Sequence, residues 1–540
     1  MFCFNFLKVE HSANPTKLLN FSAFKHSPNS RRSANFNLRE RGEKHIVFRN
    51  YFFSMEYEAV IGLEIHVQLK AKSKVFAGSP AGFGEPPNKL IDPTVLALPG
   101  ALPVLNRESV EKSVKFGLMI DAKMPEISRW SRKNYFYPDS PKNYQITQLA
   151  EEAIVGPGEV EIELPGPSRN VMGEHKKIRI NHAHLEEDVG KLTHGGTTSL
   201  VDYNRAGTTL LEIVTEPDMH SAEEAVALLN ALRMILNAAG LSDCDMEKGQ
   251  LRCDANVSVR PKGSSELRTR TEMKNVNSLT GVRNCINFEI KRQIRAYENG
   301  ESIVQETRGW NAETGHTYSM RSKENAHDYR YFPDPDLMPV KLDDAWLARL
   351  KADLPEKPFD RQRRYMADFG LPYTITSVLI PDRALCDFFE KSVAAFPKAP
   401  QQTANLIVNE ILREIAAAGT EATIADSKIP PEALAGLVEA VEAGTISKQQ
   451  AKEVFADMWA NGKSAADIIK EKGLAQSSDS GELEAMISAV IADPKNADAV
   501  ASFKGGNEKV INVLKGQVMK ASRGKANPAK VDEIMRKLLA

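Results

Sequence analysis

Residues 61–69 read Ile-Gly-Leu-Glu-Ile-His-Val-Gln-Leu, and they alternate apolar and polar side chains without a break. This period of two predicts a half-buried β-strand with one face against a core. Glu64 and His66 then share the open face about 7 Å apart, so one ion or phosphate group can contact both. On this stretch alone, a solvated strand face with an incidental histidine is the better interpretation.

Length and composition limit the class of protein to which the chain can belong. At 540 residues the chain exceeds what one hydrophobic core supports, so about two to four domains are expected. The apolar content of 42% and charged content of 26% are typical of a folded globular chain. No run approaches the roughly 18 apolar residues of a membrane helix. The five cysteines show no CxxC spacing, which argues against a disulfide framework or zinc knuckle and favours a reducing, cytosol-like compartment.

The net charge of −1 conceals two basic ends. Residues 1–54 carry nine Lys or Arg and three Asp or Glu, a net charge of +6, and residues 501–540 carry the same numbers. A basic tail on a neutral protein is typical of a polyanionic partner, but a solvated helical surface explains the charge equally well.

Residues 1–54 lack periodicity, and Met55 stands directly before the first clean strand. We expect this segment to be a disordered extension with no part in the fold. Either translation starts at Met55, or the segment is a transit peptide, since it is rich in Arg and Ser and poor in acids. The first alternative predicts a cytoplasmic protein and the second a mitochondrial one.

The texture of the sequence changes after Pro339. Up to about residue 345, short alternating runs are separated by Gly- and Pro-rich turns, whereas Ala, Glu, Lys and Leu then recur at helical spacing. The pattern predicts an α+β protein. It comprises a mixed-strand domain over 55–345, a helical connector over 346–395 and an all-helical tail domain over 396–540.

Three acidic sites in the first domain break the polar/apolar pattern. Glu64 with His66 is the first, residues 182–188 (His-Ala-His-Leu-Glu-Glu-Asp) are the second, and Glu212 inside Leu-Leu-Glu-Ile-Val is the third. Burying a carboxylate is costly unless it is paired or bound to a metal. A Lys or Arg partner explains any one site, but three together favour a shared centre for a hard divalent ion such as Mg²⁺ or Mn²⁺.

Two short alternating runs, 251–260 and 267–274, predict a β-hairpin with its turn at 261–265. The polar residues that share a face are Arg252, Asp254, Asn256, Ser258 and Arg260 on the first strand, and Arg268, Arg270, Glu272 and Lys274 on the second. Such a face clamps phosphates and their metal, or it forms cross-strand salt bridges on a wet surface, which is the more common outcome.

Residues 131–139 (Ser-Arg-Lys-Asn-Tyr-Phe-Tyr-Pro-Asp) and 328–334 (Asp-Tyr-Arg-Tyr-Phe-Pro-Asp) interleave basic and aromatic side chains. Such stretches hold single-stranded RNA ends by stacking and phosphate contacts, or they pack as aromatic loops on a core; the sequence favours neither. The chain has no P-loop and no GxSxG elbow. Metal-assisted phosphoryl or acyl transfer without a covalent protein intermediate is therefore the chemistry that the residues favour.

Seven ordered motifs closely resemble the B subunits of the aspartyl/glutamyl-tRNA(Asn/Gln) amidotransferase family. They are residues 61–69, 132–139, 184–188, 210–218, 249–256, 274–278 and 328–334. The similarity runs from Met55 to the C-terminus, where residues 516–528 resemble the family's tail signature.

The resemblance implies an ATP-dependent carbon–nitrogen ligase with glutamine as amido donor. In this family ATP phosphorylates the side-chain carboxylate of Glu on tRNA(Gln) or Asp on tRNA(Asn), and ammonia then displaces the phosphate. The resemblance also implies a heterotrimer, in which the A subunit is the glutaminase that releases ammonia and a C subunit clasps A and B. The B subunit would have a cradle-shaped catalytic domain with ATP and Mg²⁺, followed by helical parts that hold the tRNA.

Carried over to this chain, the resemblance assigns four metal ligands: Glu64, His66, Glu187 and Glu212. It does not decide among Glu186, Glu187 and Asp188, and Glu187 is our assignment within that run. Catalysis is assigned to Lys274 and Arg252. The nucleotide contacts are assigned to Arg270, Lys274, Asp254 and Asn256.

Some family members bind zinc through cysteines in the loop after the first strand. The matching residues here are Ala77, Ser79, Asp92 and Val95, so no zinc is expected. Two other functions stay open. One is a scaffold that holds tRNA while its partner does all the chemistry, and the other is a metal-dependent nuclease, which leaves the helical half unexplained.

Overall fold

A computed structural model describes residues 55–322, 328–419, 422–475, 480–522, 526 and 528–539. The extension predicted at 1–54 lies outside the described residues. So do Arg523 and Lys525 of the basic tail, which belong to the predicted tail signature.

Fifteen strands and sixteen α-helices are present in the described part of the chain. The strands are β1 (Tyr57–Gln68), β2 (Ile127–Ser128), β3 (Ser131–Asn134), β4 (Tyr144–Thr147), β5 (Gly158–Glu163), β6 (His175–Glu187), β7 (Lys191–Gly195), β8 (Thr198–Asp202), β9 (Thr209–Thr215), β10 (Leu251–Pro261), β11 (Thr271–Lys274), β12 (Glu306–Asn311), β13 (His316–Ser322), β14 (Phe332–Pro333) and β15 (Val340–Lys341). The helices are α1 (Arg107–Met119), α2 (Ala222–Ala238), α3 (Leu279–Glu298), α4 (Asp344–Ala352), α5 (Pro358–Asp368), α6 (Tyr373–Leu379), α7 (Arg383–Ala395), α8 (Pro400–Leu406), α9 (Leu412–Ala418), α10 (Pro431–Glu442), α11 (Lys448–Asn461), α12 (Ala465–Lys472), α13 (Ser480–Ala492), α14 (Ala497–Lys504), α15 (Ile511–Ala521) and α16 (Pro528–Leu539).

Eight strands form the main sheet, in the order β13-β12-β11-β10-β1-β9-β6-β5. All neighbours are antiparallel except β11 and β12, which run parallel, so the sheet is mixed. Together with the helices that follow, this confirms the predicted α+β class.

The strand predicted from residues 61–69 is confirmed as β1, which starts four residues earlier and lies in the middle of the sheet. Ile61, Leu63, Ile65 and Val67 are at most 1% exposed and face the core. Helices α2 and α3 pack on this apolar face of the sheet. The opposite face, which carries Glu64 and His66, is therefore the polar one.

Local sequence explains where α2 and α3 begin and end. Each starts after a serine, Ser221 or Ser278, whose hydroxyl accepts a hydrogen bond from a backbone N–H of the first turn. Gly240, with φ +66°, follows α2 and adopts the left-handed conformation that suits glycine. The sequence predicts a helix that begins at Ser221-Ala-Glu-Glu in capping style and runs to Ala239 before Gly240, and α2 confirms both ends.

The hairpin of β10 and β11 is shorter than predicted. Strand β11 begins at Thr271, so Arg268 and Arg270 lie outside it. Thr271 and Met273 are fully buried, whereas Leu267 is 63% exposed, so residues before Thr271 have no apolar face to bury. The predicted strand 267–274 was therefore wrong in its first half.

A small sheet of β14, β3 and β4 lies beside the main sheet. Strand β4 packs on β6, and the indole N–H of Trp130 donates to the carbonyl of Leu185 on β6 at 3.1 Å. This sheet brings the two basic-aromatic stretches together, because β3 belongs to the first and β14 to the second.

The described chain has three hydrophobic cores. The first covers the sheet and reaches Phe359, the second runs from Tyr365 to Ile469, and the third from Leu483 to Leu539. The domain limits at 345 and 395 stay predictions. No helix in the described ranges combines the length and apolarity that a bilayer crossing needs.

Candidate active site

The centre of the polar face is a carboxylate held between two imidazoles. Glu212 on β9 lies opposite His66 on β1 and His184 on β6 in the strand register. Its Oε2 lies 3.2 Å from Nε2 of each histidine. Side chains opposite each other on neighbouring antiparallel strands are close enough for such contacts. The alternation in β1 therefore places His66 on the face where it contacts Glu212 of β9, a strand that starts about 140 residues later in the chain.

Glu186 adds a second carboxylate to this group. Its Oε2 accepts a hydrogen bond from the Thr147 hydroxyl at 2.9 Å and lies 3.7 Å from Nε2 of His184. One ligand atom each from His66, Glu186 and Glu212 lies within 4.8 Å of the others. Two carboxylates and one imidazole at this spacing can bind a divalent cation. We call these three residues the acid–imidazole group.

Glu187, the ligand assigned from the sequence, does not join this group. Its carboxylate lies 2.5 Å from the ammonium of Lys142 and accepts the Ile146 N–H at 2.8 Å. Neighbouring side chains in a strand point to opposite faces, so Glu186 and Glu187 cannot both face Glu212. Counting by two from His184 would have identified Glu186.

Glu64 lies on the same face, beside the group. Its Oε1 accepts a hydrogen bond from the Asn256 amide at 2.9 Å. Burial, together with the charge of Glu212, raises the pKa of Glu64. The acid–imidazole group and Glu64 therefore make a concentrated negative site, which favours a cation.

The two histidines compensate for the cost of burying Glu212. Burial alone would raise the pKa of Glu212, but hydrogen bonds from His184 and His66 hold it well below its usual range. Burial likewise opposes the charged form of His184, yet Glu186 and Glu212 raise its pKa to about 10. His182 stacks on His184 at 5.4 Å, and burial lowers its pKa to about 4. Charge on this face is thus concentrated at His184 and the carboxylates.

The polar residues of the hairpin lie next to this group. The ammonium of Lys274 bonds to Asp254 at 2.7 Å and lies 3.1 Å from Glu272. Asp254 in turn lies opposite Glu64 in the strand register. Arg270 precedes β11 and is exposed, so it is not on the strand face where it was predicted.

Asp188 anchors Arg252 at the edge of the face. Its Oδ2 accepts hydrogen bonds from Arg252 at 2.9 Å and from the Gln68 amide at 2.8 Å. The backbone of Asp188 is held by residues 207 and 208, through bonds of 2.9 Å from Gly207 N–H and to Thr208 C=O. The position of Arg252 therefore depends on the loop that precedes β9.

Lys74 fastens that loop from inside the protein. The side chain is fully buried, and its ammonium donates to the carbonyls of Ala206 at 2.5 Å and Tyr203 at 3.3 Å. Burial lowers the pKa of Lys74 from its ordinary value of 10.5 to about 8. The buried Lys74 amine holds the loop through its hydrogen bonds, while burial disfavours its charged form.

Lys74 should therefore make stability depend on pH. Between pH 8 and pH 10.5 the unfolded chain holds the Lys74 proton and the folded chain has lost it, so stability rises with pH. Relative to Lys74→Met, the free energy of unfolding of the native protein should rise by about 2 kcal/mol across this range. Urea unfolding at several pH values measures the difference. If the free energy of unfolding of the native protein does not rise relative to that of Lys74→Met between pH 8 and pH 10.5, this account is wrong.

The loop after β1 is closed by a carboxylate at one of the positions compared with zinc ligands. Asp92 accepts the backbone N–H of Ser79 at 2.9 Å and of Val95 at 2.8 Å. Burial opposes the charge of Asp92, but these backbone hydrogen bonds lower its pKa. The Asp92 side chain thus connects Ser79 and Val95, which are two of the other positions compared with zinc ligands.

Sequence reasoning gave no individual role to His184 or to Lys133, and it left Glu186 undecided beside Glu187 and Asp188. Lys133 on β3 is half-buried, and its ammonium lies 4.9 Å from the ring centroid of Tyr329. His184 and Glu186 stood in the quoted run 182–188, and the alternation within that run was the available signal. For Lys133 there was only the basic-aromatic composition of its stretch.

The main sheet carries carboxylates, imidazoles and cations on one face, and the helical domains follow it in the chain. This arrangement corresponds to a two-part family description. The family model described as the GatB/GatE catalytic domain matches residues 59–348, and the one described as the GatB domain matches residues 387–539.

Full-length relatives agree with both matches. A protein of Opitutus terrae is 56% identical over 489 residues, which is 90% of this chain and 100% of the relative. Those of Carboxydothermus hydrogenoformans and Thermodesulfovibrio yellowstonii are 46% and 47% identical, over 90% of this chain and 99% and 100% of their own lengths. All three are named as the B subunit of an aspartyl/glutamyl-tRNA(Asn/Gln) amidotransferase. This chain belongs to that family of B subunits.

Proposed function

We propose that the polar face of the main sheet is where ATP activates the side-chain carboxylate of Glu or Asp on a misacylated tRNA. The chain is a subunit of a glutamine-dependent, ATP-using ligase that makes Gln-tRNA(Gln) or Asn-tRNA(Asn). The acid–imidazole group carries the proposal, because phosphoryl transfer is catalysed by positioning and by charge rather than by a protein nucleophile.

The acid–imidazole group fits Mg²⁺. His66, Glu186 and Glu212 supply one nitrogen and two carboxylates within 4.8 Å, and Glu64 lies beside them on the same face. This donor set suits a hard cation that keeps part of its water shell. When bound there, Mg²⁺ would neutralise phosphate charge. His184 and Thr147 orient the two carboxylates from the second layer of contacts.

Arg252 and Lys274 would contact the phosphates of ATP. Each is held by carboxylates, Arg252 by Asp188 and Lys274 by Asp254 and Glu272, so each is fixed in position. Asp254 and Asn256 complete the proposed nucleotide contacts. Arg270 is exposed and precedes β11, so it does not share the strand face of Lys274.

Partners follow from the family. We propose that the chain works in a heterotrimer with a glutaminase A subunit and a C subunit, and that tRNA(Gln), tRNA(Asn) or both bind along the helical region. The basic surface of the tail supports a tRNA contact there, although Lys515 and Arg536 are bound to Asp532. The four described cysteines are all buried and unpaired, which fits the cytoplasmic location that we propose.

The assay for this proposal uses the reconstituted complex with ATP, glutamine and misacylated tRNA. We expect ADP release to require both this subunit and misacylated tRNA, with one amide formed for each ADP. Correctly acylated tRNA is the control and should release none. If ADP release does not need this subunit, the chain is a tRNA-binding scaffold and the proposal fails.

A further inference from the structure

We propose that Lys133 is a catalytic residue whose ammonium contacts the γ-phosphoryl group during transfer. This inference rests on the proposed function, and it names the side-chain cation that contacts the transferred phosphoryl group. It differs from the assignments made from sequence, which gave that role to Arg252 and Lys274.

Lys133 lies on the face of the small sheet that carries Thr147, because Lys133 is opposite Gln145 in the register of β3 and β4 and Gln145 is two residues from Thr147. The charges that act on its ammonium include Glu186 and Glu212, the two carboxylates of the acid–imidazole group. Strand β3 reaches this position because it pairs with β4, and β4 carries Thr147, which bonds to Glu186. The cation therefore faces the centre of the main sheet from a separate layer.

The aromatic segment after residue 328 holds the Lys133 side chain. Its ammonium lies 4.9 Å from the ring centroid of Tyr329, and Tyr331 packs edge-on against Tyr329 at 6.0 Å. Asn134 fixes this segment, because its backbone N–H and side-chain amide donate to the Tyr329 carbonyl at 3.0 and 3.1 Å. A ring face attracts a cation but leaves its N–H donors available.

Lys133 differs from the other cations of the site in having no anionic partner. Within the described ranges, no carboxylate lies within 4.0 Å of its ammonium, and no hydrogen bond from it is found. By contrast, Arg252, Lys274 and Lys142 are each bound to a carboxylate. Burial opposes the charge of Lys133, but Glu186, Tyr331 and Tyr329 raise its pKa, so it is charged. A charged ammonium with free donors beside a metal-binding group is suited to a phosphate.

The step assigned to Lys133 conserves all atoms and charge. An oxygen of the substrate's side-chain carboxylate bonds to the γ-phosphorus of ATP, while the bond from that phosphorus to the β,γ-bridging oxygen breaks. ADP leaves with the electron pair, and the products are an acyl phosphate and ADP. Lys133 transfers no proton; its charge stabilises the oxygens of the moving phosphoryl group.

The alternative is a structural one, in which Lys133 only holds Tyr329 in place. Lys133→Met and Lys133→Arg separate the two, since Met keeps the length of the stem and Arg keeps the charge. The matched control is Lys341→Met, at an exposed lysine paired with Glu126 on the two-stranded sheet.

The experiment measures ADP release by the reconstituted complex and the binding of two nucleotides. For Lys133→Met we expect kcat to fall about 100-fold or more while KM for misacylated tRNA stays the same. The dissociation constant of a nonhydrolysable ATP analogue should rise about tenfold, and that of ADP should not change, because only the analogue has a γ-phosphoryl group. Lys133→Arg should keep more activity than Lys133→Met, and Lys341→Met should match the wild type.

Three results would overturn the inference. One is a kcat for Lys133→Met close to that of the wild type. Another is equal weakening of ADP and ATP-analogue binding. The third is a loss of activity matched by a lower Tm in both Lys133 variants, which would mean a structural role. A wild-type complex that releases no ADP with misacylated tRNA would instead overturn the proposed function, and this inference with it.

Discussion

Glu212→Gln is expected to lower ATP-dependent amidation by at least about a thousandfold, because it removes the central charge of the acid–imidazole group. Glutamine keeps the shape of the side chain but cannot neutralise His66 and His184, each 3.2 Å from Oε2. Both imidazoles would then lose the carboxylate that supports their charge. The measurement is amide formation on misacylated tRNA, together with Mn²⁺ binding followed by electron paramagnetic resonance.

Two comparisons make this prediction specific. Glu216→Gln changes a carboxylate just beyond the end of β9 that bonds to Asn181, outside the acid–imidazole group, and should leave both readouts close to the wild type. Glu186→Gln should reduce Mn²⁺ binding, whereas Glu187→Gln should act through its contact with Lys142. Glutaminase activity of the partner subunit should continue in every variant. Amidation by Glu212→Gln above a tenth of the wild-type rate would refute the assignment.

Glu289→Ala is expected to have the largest effect on stability, about 3–5 kcal/mol in the free energy of unfolding. Glu289 on α3 is fully buried and accepts hydrogen bonds from Arg292 at 2.6 and 2.9 Å and from Thr271 at 2.8 Å. Arg308 lies 3.7 Å away. Removing the carboxylate leaves the Arg292 guanidinium and the Thr271 hydroxyl without their buried acceptor, whereas Arg308 keeps Glu306 at 2.6 Å.

The measurement is urea unfolding followed by the fluorescence of Trp130 and Trp310, both of which lie in the first core. The matched control is Glu298→Ala at the exposed end of the same helix, where the change should be within about 0.5 kcal/mol. A loss below about 1 kcal/mol for Glu289→Ala would contradict the predicted role of this carboxylate.

Local pattern was enough to predict β1 and α2, because each depends on a period or a cap that lies within about twenty residues. The same logic failed at 267–270, where alternation is present but Leu267 meets nothing apolar. Alternation of apolar and polar residues predicts which side chains share a face of a strand. It does not predict whether another part of the protein packs on that face.

The site needed information of a different kind. His66 and Glu212 become neighbours through the register of β1 and β9, and no local pattern specifies which residues of two strands lie opposite each other. Deciding between Glu186 and Glu187 meets the same difficulty, because neighbouring residues of β6 point to opposite faces of the sheet. Lys133 was missed because its surroundings come from segments almost 200 residues apart in the chain.

Register also has a consequence for synthesis of the protein. The acid–imidazole group joins residues 66 and 212, so a loop of about 150 residues must close before the group exists. Pairings between such distant segments form slowly. A nascent or truncated chain that ends before β9 therefore cannot form the acid–imidazole group, and under the proposed function it would have no ATP-dependent activity.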